Sequence, residues 1–357
     1  MKERKQKPAY RVVMQYLLGI VLLGSLSSCK ENPETFVIHS PIYPTSSNNV
    51  TFTCNKISGT VENVKLYVMV SNVNSSGVIS ASTPEALEQE WSSPTLPVSW
   101  TKSGGYGSNK IIKYRFVVTG NGKTYTHSVS FATRPYPVTN MPAPVYCVGD
   151  QDKVMNVVFI PDTDITDVMD SFYNAVRKDI SDAFHKEQWV RRFRRSHNFY
   201  INPQTGHAHD YDTEPGGHEK PSNWSNLSFA QGKVILHERS IRDFSGSGVY
   251  STEYFNRGTI LHESGHGLYG MADEYQGGSH WQADDCPNTF TSLANAQSYA
   301  PSVGLTSADA NKIGTDNFWE LCNDSCMMEQ TGLNVWPYYA PCRSRILFSI
   351  LQRAQGN

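Results

Sequence analysis

Runs rich in Val, Thr, Tyr and Phe dominate the chain from about Thr35 to Pro135. Val50–Cys54, Val61–Val70, Ile111–Val118 and Thr124–Phe131 have the composition of strands that pack on one face. Asn74-Ser75-Ser76-Gly77, Gly104-Gly105 and Gly120-Asn121-Gly122 separate them with turn residues. Residues 35–135 are therefore expected to form a small antiparallel β-sandwich. Pro135, Pro137, Pro142 and Pro144 then predict a linker over residues 136–153. Beyond it the pattern changes. Val154–Ile160 is an apolar run suited to a buried strand, and Val168, Phe172, Val176, Ile180 and Phe184 recur at four-residue spacing through a helix over Ile165–Phe184. Phe193–Ile201 and Lys233–Leu236 read as strands. Ser344–Gln352 reads as a closing helix with Ile346, Leu347, Ile350 and Leu351 on one side. Alternating strands and helices over residues 154–357 predict an α/β or α+β domain, so the whole chain is multidomain.

The N-terminus has a different pattern. Lys2, Arg4, Lys5, Lys7 and Arg11 precede a mostly apolar stretch, Val12–Leu26, which has the length of a signal h-region and is short for a membrane span. Leu26-Ser27-Ser28-Cys29 resembles a bacterial lipobox. Residues 1–28 would then be a lipoprotein signal peptide, Cys29 the lipidated first residue, and residues 29–34 a tether. Lys30-Glu31 resembles the charged tether of surface-exposed lipoproteins of Gram-negative bacteria. These features together imply an exported lipoprotein of a bacterial envelope, with the outer membrane the expected place and surface exposure left open.

Charge changes the picture only by exclusion. The full chain has 31 basic and 33 acidic residues. Loss of residues 1–28 leaves 26 against 32, with no basic field of the kind that binds nucleic acid. Of seven cysteines, six remain beside Cys29: Cys54, Cys147, Cys286, Cys322, Cys326 and Cys342. An even set in an exported chain suggests disulfides. Cys286, Cys322, Cys326 and Cys342 are the candidates in the second domain. Of their three possible pairings, Cys326–Cys342 with Cys286–Cys322 is preferred. A Cys-rich zinc site is the alternative, without the usual Cys-x-x-Cys spacing.

The chemistry concentrates in Thr259–Tyr275. His262-Glu263-Ser264-Gly265-His266 is a His-Glu-x-x-His pattern on a helix expected over Phe255–Leu268, with a polar start at Ser251-Thr252-Glu253. Positions i and i+4 share a helix face, so both imidazoles reach one metal. Glu263 would face a metal-activated water as general base. Gly267 and Gly270 end the helix, and Asp273-Glu274 follow where a turning chain supplies a third ligand. In metzincins that ligand lies six residues after the second histidine, beyond a turning glycine. Here the glycine, Gly270, comes one residue later, which moves the ligand to Asp273, with Glu274 as its competitor. Met327 and Met328 are candidates for the methionine turn beneath the metal. Two loops flank this core. Asn202–Asn226 contains His207, His209, Asp210, Asp212 and His218, either a solvated loop or a second metal site. Trp281–Gly314 is a candidate wall of a substrate cleft.

His262–Tyr275, with Cys326-Met327-Met328 and Cys342, resembles the IgA-peptidase-type family of bacterial zinc metallopeptidases. The family pattern is His-Glu-x-Gly-His, a glycine, then Ala-Asp-Glu-Tyr. It is matched by His262, Glu263, Gly265, His266, Gly270 and Ala272-Asp273-Glu274-Tyr275. A following Cys-x-Met element places the turn methionine at Met328. The resemblance covers roughly Val154 to the C-terminus and implies a metzincin-like peptidase domain behind a β-sandwich. Three departures bear on substrate preference and disulfide pairing. Glu329 stands where arginine is usual, Cys342 is alone where two close cysteines are common, and Pro161-Asp162-Thr163 replaces a Gly-Asp-Gly-like turn. The family's name does not make IgA the substrate.

The expectation is thus a zinc endopeptidase acting on protein or glycoprotein. One catalytic Zn2+ would be bound by His262, His266 and Asp273, with Glu263 as base and Tyr275, Tyr338 or Tyr339 as oxyanion donor. The rival is a surface lipoprotein that binds protein or glycan around a structural zinc. An intact Glu263 argues against it, since a structural ion needs no base.

Overall fold

The computed structural model describes residues 36–39, 43–56, 59–246, 248–321, 326–329, 334 and 336–356. The segment read as a signal peptide, Cys29 and Cys322 lie outside them. Two β-rich parts succeed each other along the chain.

The first is an antiparallel β-sandwich. One sheet contains β1 (Phe36–His39), β2 (Val50–Lys56) and β6 (Val98–Lys102) in the order β1-β2-β6. The other is built on β3 (Asn63–Val73), β7 (Lys110–Gly120) and β8 (Lys123–Ala132), with β4 (Ile79–Ser82) and β5 (Ala86–Ser92) both paired to β3. Along β3 and β7 buried positions mostly alternate with more exposed ones, as a two-faced strand requires. Val64, Leu66, Tyr114, Phe116 and Phe131 meet Phe52 of the opposite sheet, whose ring lies 4.8 Å from Tyr114.

The second part is organised on a mixed sheet. It comprises β9 (Ala143–Tyr146), β10 (Met155–Pro161), β11 (His197–Ile201), β12 (Gly232–His237), β13 (Ser245–Gly246) and β14 (Val249–Glu253), in the order β13-β14-β12-β10-β11-β9. The four strands from β14 to β11 run parallel, and the outer two are antiparallel to their neighbours. Every residue of β10 and β11 is buried, because parallel strands are covered on both faces. A small sheet, β15 (Thr289–Phe290), β16 (Asn311–Lys312) and β17 (Trp319–Glu320), organises the loop after residue 281.

Several boundaries differ from the sequence reading for identifiable reasons. The 136–153 segment is no free linker, since β9 pairs with β11 and Cys147 exchanges backbone hydrogen bonds with Ser130 of β8. The strand expected at Phe193 starts at His197. Glu187 caps a short helix, Gln188–Arg192, by accepting from the Trp189 and Val190 amides at 2.7 Å, which draws the preceding residues into helical turns. Ser251–Glu253 is the end of β14 rather than a helix start. The central helix begins after Asn256, whose side chain accepts from the Thr259 amide, and spans Arg257–Gly267. Its residues Gly258–Gly265 are all buried, so it has no amphipathic stripe. It packs on β14 and on the helical stretch that ends at Phe184. The closing helix, Ala340–Ala354, is longer than expected at both ends. Among the described residues no helix is long and apolar enough to cross a membrane.

Candidate metal centre

On one turn of the central helix, His262, which is buried, and the partly buried His266 have their Nε2 atoms 3.2 Å apart. The chain then reverses. Gly270, at φ +67°, takes the left-handed conformation that turns it. The returning backbone places Asp273 Oδ1 3.1 Å from His262 Nε2 and 3.2 Å from His266 Nε2. Asp273 Oδ2 is held separately by the Ser279 amide at 2.6 Å, which leaves Oδ1 for the histidines. Glu274 points elsewhere. Its carboxylate lies against Asn288 and Cys342, behind the cleft.

The remaining contacts bear on the chemistry of this triangle. His262 Nδ1 donates to the Met327 carbonyl at 2.9 Å, and His266 Nδ1 to the Met271 carbonyl at 2.8 Å. With both Nδ1 atoms protonated, each neutral ring offers a lone pair at Nε2. Three acceptors then face one another with no donor between them. A cation fits such a set. Tetrahedral bonds of about 2.0–2.1 Å to nitrogen and oxygen separate ligand atoms by about 3.3 Å, close to the spacing here. The carbonyls that orient each ring are the outer partners such ligands ordinarily have.

Met328 lies beneath the helix, against Gly265. A Cβ at Gly265 would fall within the contact distance of Met328 Sδ and 2.9 Å from its Cε. We expect Gly265→Ala to destabilise the protein by about 1–3 kcal/mol, as overpacking of a full core does. Gly265→Ala with Met328→Ala should recover part of the loss in thermal unfolding. A neutral Gly265→Ala would contradict this packing.

Glu263 stands beside the triangle, almost fully buried, and its Oε2 has no hydrogen-bond partner. Burial pushes its carboxyl up to about 7, against the opposing influence of the two histidines. Burial alone would lower His266, but the hydrogen bond and charge of Asp273 raise it. Asp273 is itself held below the ordinary carboxylate range. Burial works against this, and the two histidines prevail.

These shifts give a sign for the metal-free protein. Glu263 keeps its proton where an unfolded glutamate, at 4.5, has lost it, so stability falls as pH rises from there to about 7. The stabilising contribution of His266 is complete below 6.5 and is lost through its raised value. Asp273 contributes throughout the range above 3.8 and adds no slope. The unfolding free energy of chelator-treated protein should therefore fall between pH 5 and pH 8, by an amount on the order of a few kcal/mol, and its denaturation midpoint with it. Saturating zinc, which binds the deprotonated ligands, should reverse the trend. A midpoint that rises with pH in the chelated protein would refute this account.

The triangle and Glu263 line a cleft of ≈ 620 Å³ whose walls include Tyr211, Arg242, Phe244, Tyr275 and Trp281. Trp281 comes from the loop expected as a wall, and its ring lies 5.9 Å from that of His266. Tyr211 comes from the histidine-bearing loop. The loop histidines themselves do not converge on a metal. His218 donates to the Phe244 carbonyl and stacks on that ring at 4.0 Å, His207 pairs with Asp162 at 3.1 Å, and His209 lies 3.7 Å from Glu219. They brace the loop behind Tyr211. Asn288, which binds both the amide and the carbonyl of Ala272, and Ser279 hold the Asp273 turn. Neither carried a sequence signal, because loop amides reveal their role only once the turn is formed.

The cysteines are thiols wherever they are described. Cys326 and Cys342 are adjacent, with Sγ atoms 3.6 Å apart and no covalent bond. Cys286 is a separate, partly buried thiol, and its proposed partner Cys322 lies outside the described residues.

No family model matches this chain, and no curated protein matches it significantly. Among solved structures, a Paenibacillus sp. cycloisomaltooligosaccharide glucanotransferase complexed with cycloisomaltoheptaose is similar over 57% of this chain and 20% of its own, at 8% identity and a TM-score of 0.22. A Bacteroides uniformis β-glucuronidase is similar over 60% of this chain and 24% of its own, at 9% identity and a TM-score of 0.19. This chain therefore spans about a quarter or less of the length of those proteins. Likeness at this level carries no inference about fold or activity.

Proposed function

We propose that the chain is a zinc-dependent endopeptidase, its second part a metzincin-like catalytic domain, anchored to a bacterial envelope through Cys29. The observation that carries this reading is the triangle of His262 Nε2, His266 Nε2 and Asp273 Oδ1 at 3.1–3.2 Å, with the unpartnered Glu263 Oε2 in the same cleft. The resemblance to the IgA-peptidase-type family points the same way. A purely structural ion would leave the buried Glu263 carboxylate without a task.

Zinc held by His262, His266 and Asp273 supplies Lewis acidity, making water acidic near neutral pH and polarising a substrate carbonyl. Glu263 Oε2 takes the proton of the attacking water and passes it to the leaving amine. Of the three candidate tyrosines, Tyr275 lines the cleft, its ring 6.1 Å from that of His262, which supports it as the oxyanion donor. Tyr338 is fully buried with its hydroxyl on the Leu261 carbonyl, and Tyr339 caps the closing helix beside Arg343. Trp281 and Tyr211 give the cleft aromatic walls for substrate side chains.

The test is cleavage of a mixed protein library by the purified exported chain. Cleavage should cease after chelation and return with zinc. Undiminished cleavage after complete metal removal, or none with zinc bound, would overturn the proposal.

A further inference from the structure

Behind the cleft, on the far side of the Asp273 turn, a second group of ligating side chains is buried with no assigned task. Glu274 follows Asp273, Cys326 opens the methionine segment beneath the central helix, and Cys342 lies in the closing helix. All three are essentially inaccessible to solvent. Cys342 Sγ lies 3.1 Å from Glu274 Oε1 and 3.6 Å from Cys326 Sγ, and one ligand atom from each residue falls within 4.8 Å of the others. Asn288 donates to Glu274 Oε1 at 3.1 Å, while Glu274 Oε2 is buried without a hydrogen-bond partner among the described residues.

We propose that Glu274, Cys326 and Cys342 form a structural site for a soft divalent cation, zinc, separate from the cleft and independent of its activity. Two sulfur atoms bound to one zinc at about 2.3 Å and a tetrahedral angle lie about 3.8 Å apart, near the observed separation. A disulfide would need about 2.05 Å. Two thiolates and a carboxylate select zinc over magnesium or calcium, which prefer all-oxygen sites. The orphaned Oε2 is the kind of buried acceptor that a cation or its bound water satisfies. Binding releases the two thiol protons, and the carboxyl proton where present, to solvent; no electrons move. Arg343, on the closing helix and electrostatically coupled to Cys326, offsets the remaining negative charge.

The ion would fasten three segments that meet nowhere else in sequence. One provides the Met327 carbonyl that orients His262, and the Glu274 amide is hydrogen-bonded to the Met328 carbonyl at 3.0 Å.

The experiment uses the full exported chain, purified without reductant, stripped of metal and titrated with Co2+. The cleft ligands include no sulfur, so a thiolate-to-cobalt charge-transfer band reports the second site alone. The band should appear in the wild-type chain and survive His262→Ala/His266→Ala, where it should saturate at one equivalent. Cys326→Ser/Cys342→Ser should remove it, together with one equivalent of zinc. Alkylation under denaturing conditions, followed by mass analysis, should label both cysteines in the wild-type protein. Three results would overturn the proposal: no band in the wild-type chain, a band that persists in the double serine variant, or Cys326 and Cys342 peptides recovered joined and two hydrogens lighter. The wild-type measurements stand even if the variants fail to fold.

Discussion

Glu263→Gln should lower the rate of peptide cleavage by at least about a hundredfold while the cleft metal stays bound. The substitution keeps the size and shape of a side chain enclosed on nearly every side, and it removes only the capacity to accept a proton. None of the three ligand atoms is touched, so zinc content should equal that of the wild-type chain. The same variant should lose part of the pH sensitivity of the metal-free protein, because the amide has no proton to release near pH 7. Steady-state rates, bound zinc and the chelated denaturation midpoint can all be measured on one preparation. Wild-type cleavage by Glu263→Gln would remove Glu263 from the mechanism, and loss of zinc would make it a support for the ligands instead.

Asp273→Ala is the second large effect. It deletes one of three protein ligands and the carboxylate that raises His266, so the cleft should bind zinc on the order of a hundredfold or more weakly. The measurement is the free zinc concentration that half-restores activity to chelator-stripped enzyme. Glu274→Ala serves as the contrast. Its carboxylate faces away from the histidines, so the half-restoring concentration should move far less, even where stability falls. The opposite ranking would assign the third ligand to Glu274, and no change in either variant would exclude both.

The parts legible in the sequence were those set by local period and composition. His262 and His266 face one another because four residues bring a helix back to the same side. The β-sandwich announced itself where strands bury one face, as in Val50–Lys56 and Lys110–Gly120. It was silent at β4 and β5, which are exposed along most of their length and so carry no apolar run. The choice between Asp273 and Glu274 depends on a backbone reversal at Gly270 and on the Ser279 amide, which captures one oxygen of Asp273. The spacing of Gly270 pointed to the first, but the Ser279 amide carried no signal in the sequence. The histidines of Asn202–Asn226 show the reverse case, where the solvated-loop reading holds. A cluster in sequence is dispersed in space when each member finds its own carbonyl or carboxylate.

The short strand β9 has a consequence for anyone dissecting the molecule. A chain begun at Val154, where the apolar pattern of the second part starts, would lack Ala143–Tyr146 and leave β11 as the rim of the sheet. All five residues of β11 are buried, and its bared amides and carbonyls would become a template for another chain. Such a fragment would tend to stick to itself, and its inactivity would say nothing about the cleft. The sandwich also has a covering role, since Ser130 of β8 is bridged to Cys147 just beyond β9. Recombinant pieces of this protein should therefore be cut upstream of Pro142 or not at all.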